Sequence, residues 1–234
     1  MKKLKLLVDY RMKDIFLNYF INQEIEIVKV KCKDVYAEVS GHPDIFFTNI
    51  NGNLVVAKNV KIVPKISSGI LGESVEKGYP ATAKYNVCVN NKYIICNYKY
   101  VSEEVKKLAK KENLEVINVN QGYTRCSALS LDENNYITID LGIKKQLEKR
   151  NMNVLYVEEK NVKLLGSSGK YSSMQGFLVG SLAILKNEVI LFGDKDKLKN
   201  GRQIEEFVEK LGYKFIDFKN EDVIDYGSVI CIDE

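Results

Sequence analysis

The sequence predicts an α/β fold of five β-β-α-β modules arranged as a propeller, with the first module closed by the C-terminal strand. Three observations carry this. Four stretches repeat one plan, an alternating apolar run, a short polar turn and a second run: Ile45–Ala57, Tyr85–Cys96, Ser127–Asp140 and Gly180–Phe192. The last three are each followed by an amphipathic helix and one more strand. Residues 1–31 read as β-α-β, one strand short of the plan, while Tyr226–Ile232 is a strand without a module. Joining the two leaves no unpaired sheet edge between first and last modules. A repeat of about 40–50 residues lies in the range of solenoids and propellers. The chain is read as one domain over residues 1–234.

Lys5–Asp9 is a short strand. Arg11–Ile21 is an amphipathic helix, because Met12, Ile15, Phe16, Tyr19 and Phe20 follow the three-and-four spacing of a buried face. Ile25, Ile27 and Val30 continue as a strand. In the second module Asn51-Gly52 between apolar runs is a strong hairpin signal. Val60–Pro80 is the least regular stretch, with a short helix expected near Gly69–Lys77. Tyr85–Cys96 turns at Asn90-Asn91. Ser102 is placed to N-cap a helix to about Lys111, with Glu103 and Glu104 at the positive end of its dipole and Val105, Leu108 and Ala109 inward. Leu114–Val119 is a strand. Ser127–Leu131 and Tyr136–Asp140 flank the turn Asp132-Glu133-Asn134-Asn135, whose side chains bond their own backbone. A helix from Ile143 to Arg150 and a strand at Val154–Val157 complete that module. Gly180–Phe192 turns at Lys186-Asn187. The helix Gln203–Leu211 then ends at Gly212, a favourable C′ residue, and Tyr213–Phe218 is its strand.

Composition removes several function classes. A 45% hydrophobic content supplies a sizeable core, and the net charge of +4 is mild and dispersed over 234 residues. No basic stripe with aromatics stands out, so nucleic acid is not an expected partner. Cys32, Cys88, Cys96, Cys126 and Cys231 show no C-x-x-C spacing, which argues against a zinc site or a disulfide framework and fits reduced thiols in a cytoplasm. The N-terminal apolar run is short and interrupted by charges, unlike a signal peptide or membrane span. His42 is the single histidine, which excludes any site that needs two. No cofactor is called for. Gly166–Gln175 is a small-residue loop. A phosphate loop would need glycine where Leu164 stands and Ser or Thr where Tyr171 stands.

With GHPDIFF at 41–47, GYTRCS at 122–127 and DENNYITID at 132–140, the chain resembles the pentein superfamily, the five-module α/β propeller of the guanidine-modifying enzymes. These are arginine deiminases, dimethylarginine dimethylaminohydrolases, agmatine deiminases and amidinotransferases; ribosome anti-association factors share the fold without the chemistry. It is similar in particular to clostridial-type proteins of this fold without assigned function. The resemblance implies that the first strand of each module lines an axis. It places Cys231, in Tyr226–Cys231, at the nucleophilic cysteine, and Pro43–Phe47 on the P-D-x-x-F segment. The chain departs elsewhere. Thr48-Asn49 stands where an acidic pair is expected, and Ala83–Asn86 replaces an acidic segment. GYTRCS lacks the histidine expected near Tyr123–Arg125. Thiolate attack on a guanidinium needs carboxylates to hold the cation and an acid for the leaving amine.

The candidate catalytic residues are Cys231, His42 and Asp44; the candidate ligand-binding residues are Asn86, Arg125, Cys126, Ser127 and Ser181. His42 is either a rearranged acid/base oriented by Asp44, serving Cys126 or Cys231, or part of a strand-entry turn set by Pro43. Arg125 either grips a carboxylate or phosphate and lowers the Cys126 pKa, or forms an ion pair with Asp44 or Asp225. Asp132, Glu133 and Asp140 match no calcium loop and are read as turn residues; Lys106–Lys111 and Lys195–Lys199 are read as solvated faces or caps. Three functions are expected in turn: binding of a small polar, anionic molecule in an axial pocket; cysteine-dependent hydrolysis of an amidine or amide at Cys231; or association with a macromolecule through the rim. The sequence sets no oligomeric state.

Overall fold

The strand–helix–strand opening that the first thirty residues require is present in the computed structural model, which describes residues 4–63, 69–166 and 174–233. β1 (Leu4–Asp9) and β2 (Glu26–Lys31) run parallel on either side of α1 (Asp14–Ile21). The helix buries Phe16, Leu17 and Phe20, while Ile15, expected inside, is 45% exposed. Because the helix starts at Asp14, Met12 is buried from the preceding turn. The stripe facing the sheet therefore turns away from Ile15.

The second hairpin is preceded by a single helical turn, α2 (Pro43–Phe46), then β3 (Phe47–Ile50) and β4 (Asn53–Val56). Asn51 and Gly52, at φ 50° and 82°, give the two left-handed positions of its tight turn. Ile45 and Phe46 belong to the helical turn and not to the strand. Four residues span too little of either period for alternation to separate the two, and Pro43 pre-sets the first helical position. The helix expected near 69–77 is absent. β5 (Lys61–Val63) instead pairs with β2, and β6 (Ile70–Leu71) pairs in parallel with β4.

β7 (Cys88–Val89), β8 (Tyr93–Cys96), α3 (Glu103–Lys111) and β9 (Glu115–Asn118) follow the predicted plan. Val105, Leu108 and Ala109 are the buried face of α3. Its cap is not the Ser102 side chain, which donates to Glu73; the Glu73 carboxylate accepts from Glu103 N at 3.0 Å. Next come α4 (Thr124–Ser127), β10 (Ala128–Ser130), β11 (Asn135–Thr138), α5 (Leu141–Glu148) and β12 (Asn153–Tyr156). Thr124–Ser127 is thus a helical turn, where the sequence suggests a strand that opens at Gly122 and carries Arg125, Cys126 and Ser127. β13 (Lys163–Leu164) precedes β14 (Leu182–Leu185), β15 (Glu188–Leu191), α6 (Gly201–Lys210) and β16 (Lys214–Ile216). β17 (Ile224–Asp225) pairs with β13, and β18 (Ile230–Asp233) ends the chain.

Four of the sheets share one topology: an antiparallel hairpin whose second strand takes a parallel partner. They are β3-β4-β6, β7-β8-β9, β10-β11-β12 and β14-β15-β16. The remaining large sheet has the order β18-β1-β2-β5, with Leu6 opposite Cys231 and Leu7 opposite Ile230. The C-terminal strand therefore completes the N-terminal sheet. It is shorter than the sequence suggested, because Gly227 and Ser228 take positive φ and form a turn. Aliphatic and aromatic side chains of the sheets and helices form four buried clusters among the described residues. Among the described residues no helix is long and apolar enough to cross a membrane.

Candidate functional site

Short helical turns precede four of the leading hairpin strands: α2, Ala81–Ala83, α4 and Val179–Ser181. With the turn at 226–229 they bring polar residues from distant parts of the chain to one buried layer. Asn86 ties this layer together. Its Oδ1 accepts from the backbone N–H of Arg125 at 2.8 Å and of Cys126 at 3.3 Å, two free donors at the start of α4. Its carbonyl oxygen accepts from Thr124 N at 3.2 Å and Thr124 Oγ1 at 2.8 Å, and its Nδ2 donates to Cys126 Sγ at 3.1 Å.

The Cys126 thiol in turn donates to Asp44 Oδ2 at 2.7 Å. Burial, then the Asp225 charge, pushes the Asp44 carboxyl up to about 6, against the lowering effect of His42. Burial, followed by the charges of Asp44 and Asp225, holds the Cys126 thiol well above its ordinary range. Cys126 is therefore a thiol donor near neutral pH and not a thiolate, so the expected lowering of its pKa by Arg125 does not occur. The layer is closed by Gly227. A Cβ added there would stand 2.8 Å from Asp44 Oδ1 and closer still to the His42 Cβ, and φ is 67°.

His42 is fully buried between two carboxylates. Its Nδ1 lies 3.7 Å from Asp225 Oδ1 and its Nε2 3.9 Å from Asp9 Oδ2, and Nε2 has no hydrogen-bond partner. Asp225 accepts from Phe177 N at 2.8 Å and Gly227 N at 2.9 Å. Asp9 is gripped by Arg11 through Nε at 2.9 Å, Nη2 at 2.6 Å and the backbone N–H at 2.8 Å. The sequence reading placed neither Asp9 nor Arg11 at the site. The available signal was Asp-x-Arg at the end of a buried strand.

Two cavities flank this layer and share no lining residue. One, of about 350 Å³, lies among the segments that lead into the helical turns and is lined by Tyr36, Tyr79, Tyr123, Phe177, His42, Cys126 and Asp225, among others. The other, of about 260 Å³, takes at least one residue from each of five leading strands: Asn49 of β3, Val89 of β7, Ser130 of β10, Ile184 of β14 and Cys231 of β18. Arg125 belongs to this second cavity. Its Nη2 makes two long hydrogen bonds, 3.4 Å each, to Ser228 Oγ and Val229 O. No carboxylate lies within ion-pair distance of it among the described residues, so it is paired with neither Asp44 nor Asp225.

Of the remaining candidates, Ser127 is buried with its Oγ unpartnered, and Ser181 Oγ donates to Leu178 O at 2.6 Å. Cys231 is half-buried in the Arg125 cavity, whereas His42 lines the other. Asp132 bonds the backbone N–H of Asn134 and Asn135, and Asp140 caps α5 through Ile143 N at 2.8 Å. Among the described residues no group of three His, Cys, Asp or Glu side chains is arranged to hold a metal ion. Most of the loop at 166–175 lies outside the described residues.

By sequence, residues 7–230 match the model described as "Family of unknown function (DUF6873)". No curated protein matches the chain. By structure it is similar to DDAH from Pseudomonas aeruginosa, a cysteine-to-serine variant complexed with citrulline, at 10% identity and TM-score 0.53, over 97% of this chain and 90% of that one. It is similar also to a cysteine-to-serine variant of C. jejuni agmatine deiminase with substrate bound, at 13% identity and TM-score 0.52, over 100% and 93%. At these identities the likeness is one of fold alone: the chain shares a mixed α/β fold with DDAH and agmatine deiminase.

Proposed function

The chain belongs to the family of unknown function DUF6873, and from that starting point we propose that it binds a small anion in the cavity of Arg125. One observation carries this: a half-buried guanidinium, with only two hydrogen bonds of 3.4 Å and no carboxylate partner among the described residues, in a cavity where five leading strands meet. A guanidinium does not lose its proton, so it needs a partner or water. The neighbouring polar groups are already engaged: Thr48 Oγ1 donates to Tyr85 O, Asn49 Nδ2 to Cys231 O and Ser130 Oγ to Asp132 O. A carboxylate or phosphate supplies the missing acceptors in the bidentate geometry that Arg favours.

The reading includes a ring of five modules in one domain. Support comes from the pairing of β18 with β1 and from the five strands that contribute to one cavity.

A second reading rests on Cys231, the one cysteine of the five that is not fully buried, in the same cavity. A cysteine-dependent hydrolase acting on an amidine or amide would use it as nucleophile. The structural neighbours, DDAH and agmatine deiminase, make guanidine-type chemistry the natural comparison. A fixed Arg125 cation beside Cys231 repels a guanidinium substrate, which favours anion binding over that chemistry.

The test is a thermal-shift screen of small carboxylates and phosphates on wild type and Arg125→Met. Binding at a hundredfold excess over Kd stabilises the folded state by about 2.7 kcal/mol, and the shift is expected to vanish in the variant. A shift that persists in Arg125→Met overturns the reading. Citrulline release from arginine, lost in Cys231→Ala, would move the function to the second reading.

A further inference from the structure

The other cavity, on the far side of the Asn86–Cys126–Asp44 layer, has the opposite chemistry. Its walls are aromatic. Tyr79 and Tyr123 stack at a tilt with centroids 5.7 Å apart, Phe177 continues the row at 6.3 Å, and Tyr123 is fixed by a 2.5 Å hydrogen bond between its hydroxyl and Thr82 Oγ1. Tyr36 lines the cavity as well. At about 350 Å³ it falls within the size of small-molecule pockets, roughly 300–1,000 Å³.

The charges around it are acidic. Glu38 lines the cavity and is 9% exposed, yet its carboxylate accepts no hydrogen bond among the described residues. A buried carboxylate without protein partners must find its counter-group through the cavity it lines. Asp225 lines the cavity and Asp44 lies behind it. Arg11, whose Nη2 donates to the Glu38 carbonyl oxygen at 2.9 Å, has its charge paired with Asp9. An anion is therefore disfavoured, and a neutral ligand would leave Glu38 unpaired.

The hydrogen-bond inventory narrows the cation further. Both Asp225 oxygens already accept backbone N–H groups, and Asp44 Oδ2 accepts the Cys126 thiol. Asp44 Oδ1 has no partner but does not line the cavity, so a cation rich in N–H donors finds open acceptors on buried side chains of the wall, among the described residues, only at Glu38 and at His42 Nε2. A cation with few or no donors, attracted to ring faces and neutralised by one carboxylate, finds what it needs. We propose that this cavity is a second ligand site, which takes a methylated ammonium ion in the Tyr36, Tyr79, Tyr123 and Phe177 cage with Glu38 as counter-charge. It is separate from the anion site at Arg125 and does not depend on it.

The experiment titrates choline chloride into the full chain and follows calorimetric heat and tyrosine emission; the sequence has 14 Tyr and no Trp. Two comparison ligands are run: 3,3-dimethyl-1-butanol, which has the same shape without the charge, and guanidinium chloride. Saturable choline binding is expected, at least tenfold tighter than the neutral analogue and tighter than guanidinium. Glu38→Gln and Tyr79→Leu should each weaken it at least fivefold. Tyr79 is 52% exposed, so its replacement leaves the core intact. Arg125→Met should leave choline binding unchanged, which separates failure of this site from failure of the anion site. Equal binding of the neutral analogue, tighter binding of guanidinium, or no saturable choline signal from folded protein overturns the proposal.

Discussion

The two cavities sit on either side of one layer and are opposite in character. The strand-side cavity presents a guanidinium with no carboxylate partner among the described residues. The loop-side cavity presents carboxylates and aromatic rings. Adjacent residues of α4 divide between them: Arg125 lines the first and Cys126 the second. The layer between is what keeps the charges apart. Asn86 and Cys126 supply Asp44 with a thiol donor, so the carboxylate that the sequence offered as the partner of Arg125 is engaged elsewhere. The lesson concerns competition. A buried carboxylate that accepts from a neighbouring thiol leaves a nearby guanidinium free to face a pocket, and the ligand preference of that pocket follows from the choice.

The comparison breaks most completely if the two sides are not parts of one folded unit. Removal of residues 226–234 takes away β18, which walls the strand-side cavity and pairs with β1, but leaves every loop-side residue in the chain. The expected result is loss of soluble, cooperatively folding protein, because the truncation exposes the edge of β1 and strips a core strand. The measurement is size-exclusion chromatography with circular dichroism. A truncated chain that still folds and binds choline would show that the loop side stands alone.

Asp44 sharpens the role of the layer. Its folded-state value of about 6 exceeds the unfolded value of about 3.9, so the folded chain holds the proton more tightly. The stability that this group contributes is present below about pH 4 and is lost as the pH rises through 6, roughly 3 kcal/mol in all. Asp44→Asn keeps an acceptor for the Cys126 thiol and removes the titration. Urea denaturation across pH 4–7 should give the variant a flatter stability profile, with its advantage over wild type growing toward pH 7. An identical slope in both proteins contradicts the assigned burial of Asp44.

The smallest effect separates the thiols. Burial raises Cys88 to about 11 and Cys96 to about 12, and holds Cys126 well above its ordinary range. Cys231 is half-buried, while the other four cysteines are buried. Iodoacetamide followed by peptide mass spectrometry should find Cys231 alkylated first, slowed several-fold by an anion that binds at Arg125 and unaffected by choline. Alkylation of Cys126 ahead of Cys231, or protection of Cys231 by choline, contradicts the separation of the two cavities.

How much was legible in advance differs by scale. The hairpins at Asn51-Gly52, Asn90-Asn91 and Lys186-Asn187, the α3 face of Val105, Leu108 and Ala109, and the return of the C-terminal strand to β1 were readable from residue pattern, because period and turn chemistry are local. One axial pocket shared by His42, Asp44, Asn86, Arg125, Cys126, Ser127, Ser181 and Cys231 is what the residue pattern suggests, whereas His42 and Cys126 line one cavity and Arg125 and Cys231 another. The helical turns at Pro43–Phe46 and Thr124–Ser127 were not readable, since four residues show too little of either period.

The partners within the site were decided by tertiary structure alone. Nothing in the sequence says that Asp44 takes the Cys126 thiol in preference to Arg125, or that His42 lies between Asp9 and Asp225. Nor does it say that Arg125 and His42 line different cavities. The sequence determined where the hairpin strands, their turns and the longer helices lie, because alternation and turn chemistry are local. The fold determined which side chains meet. Hydrogen bonding and charge pairing act over about 3–4 Å, a distance set by the packing of segments far apart in the chain.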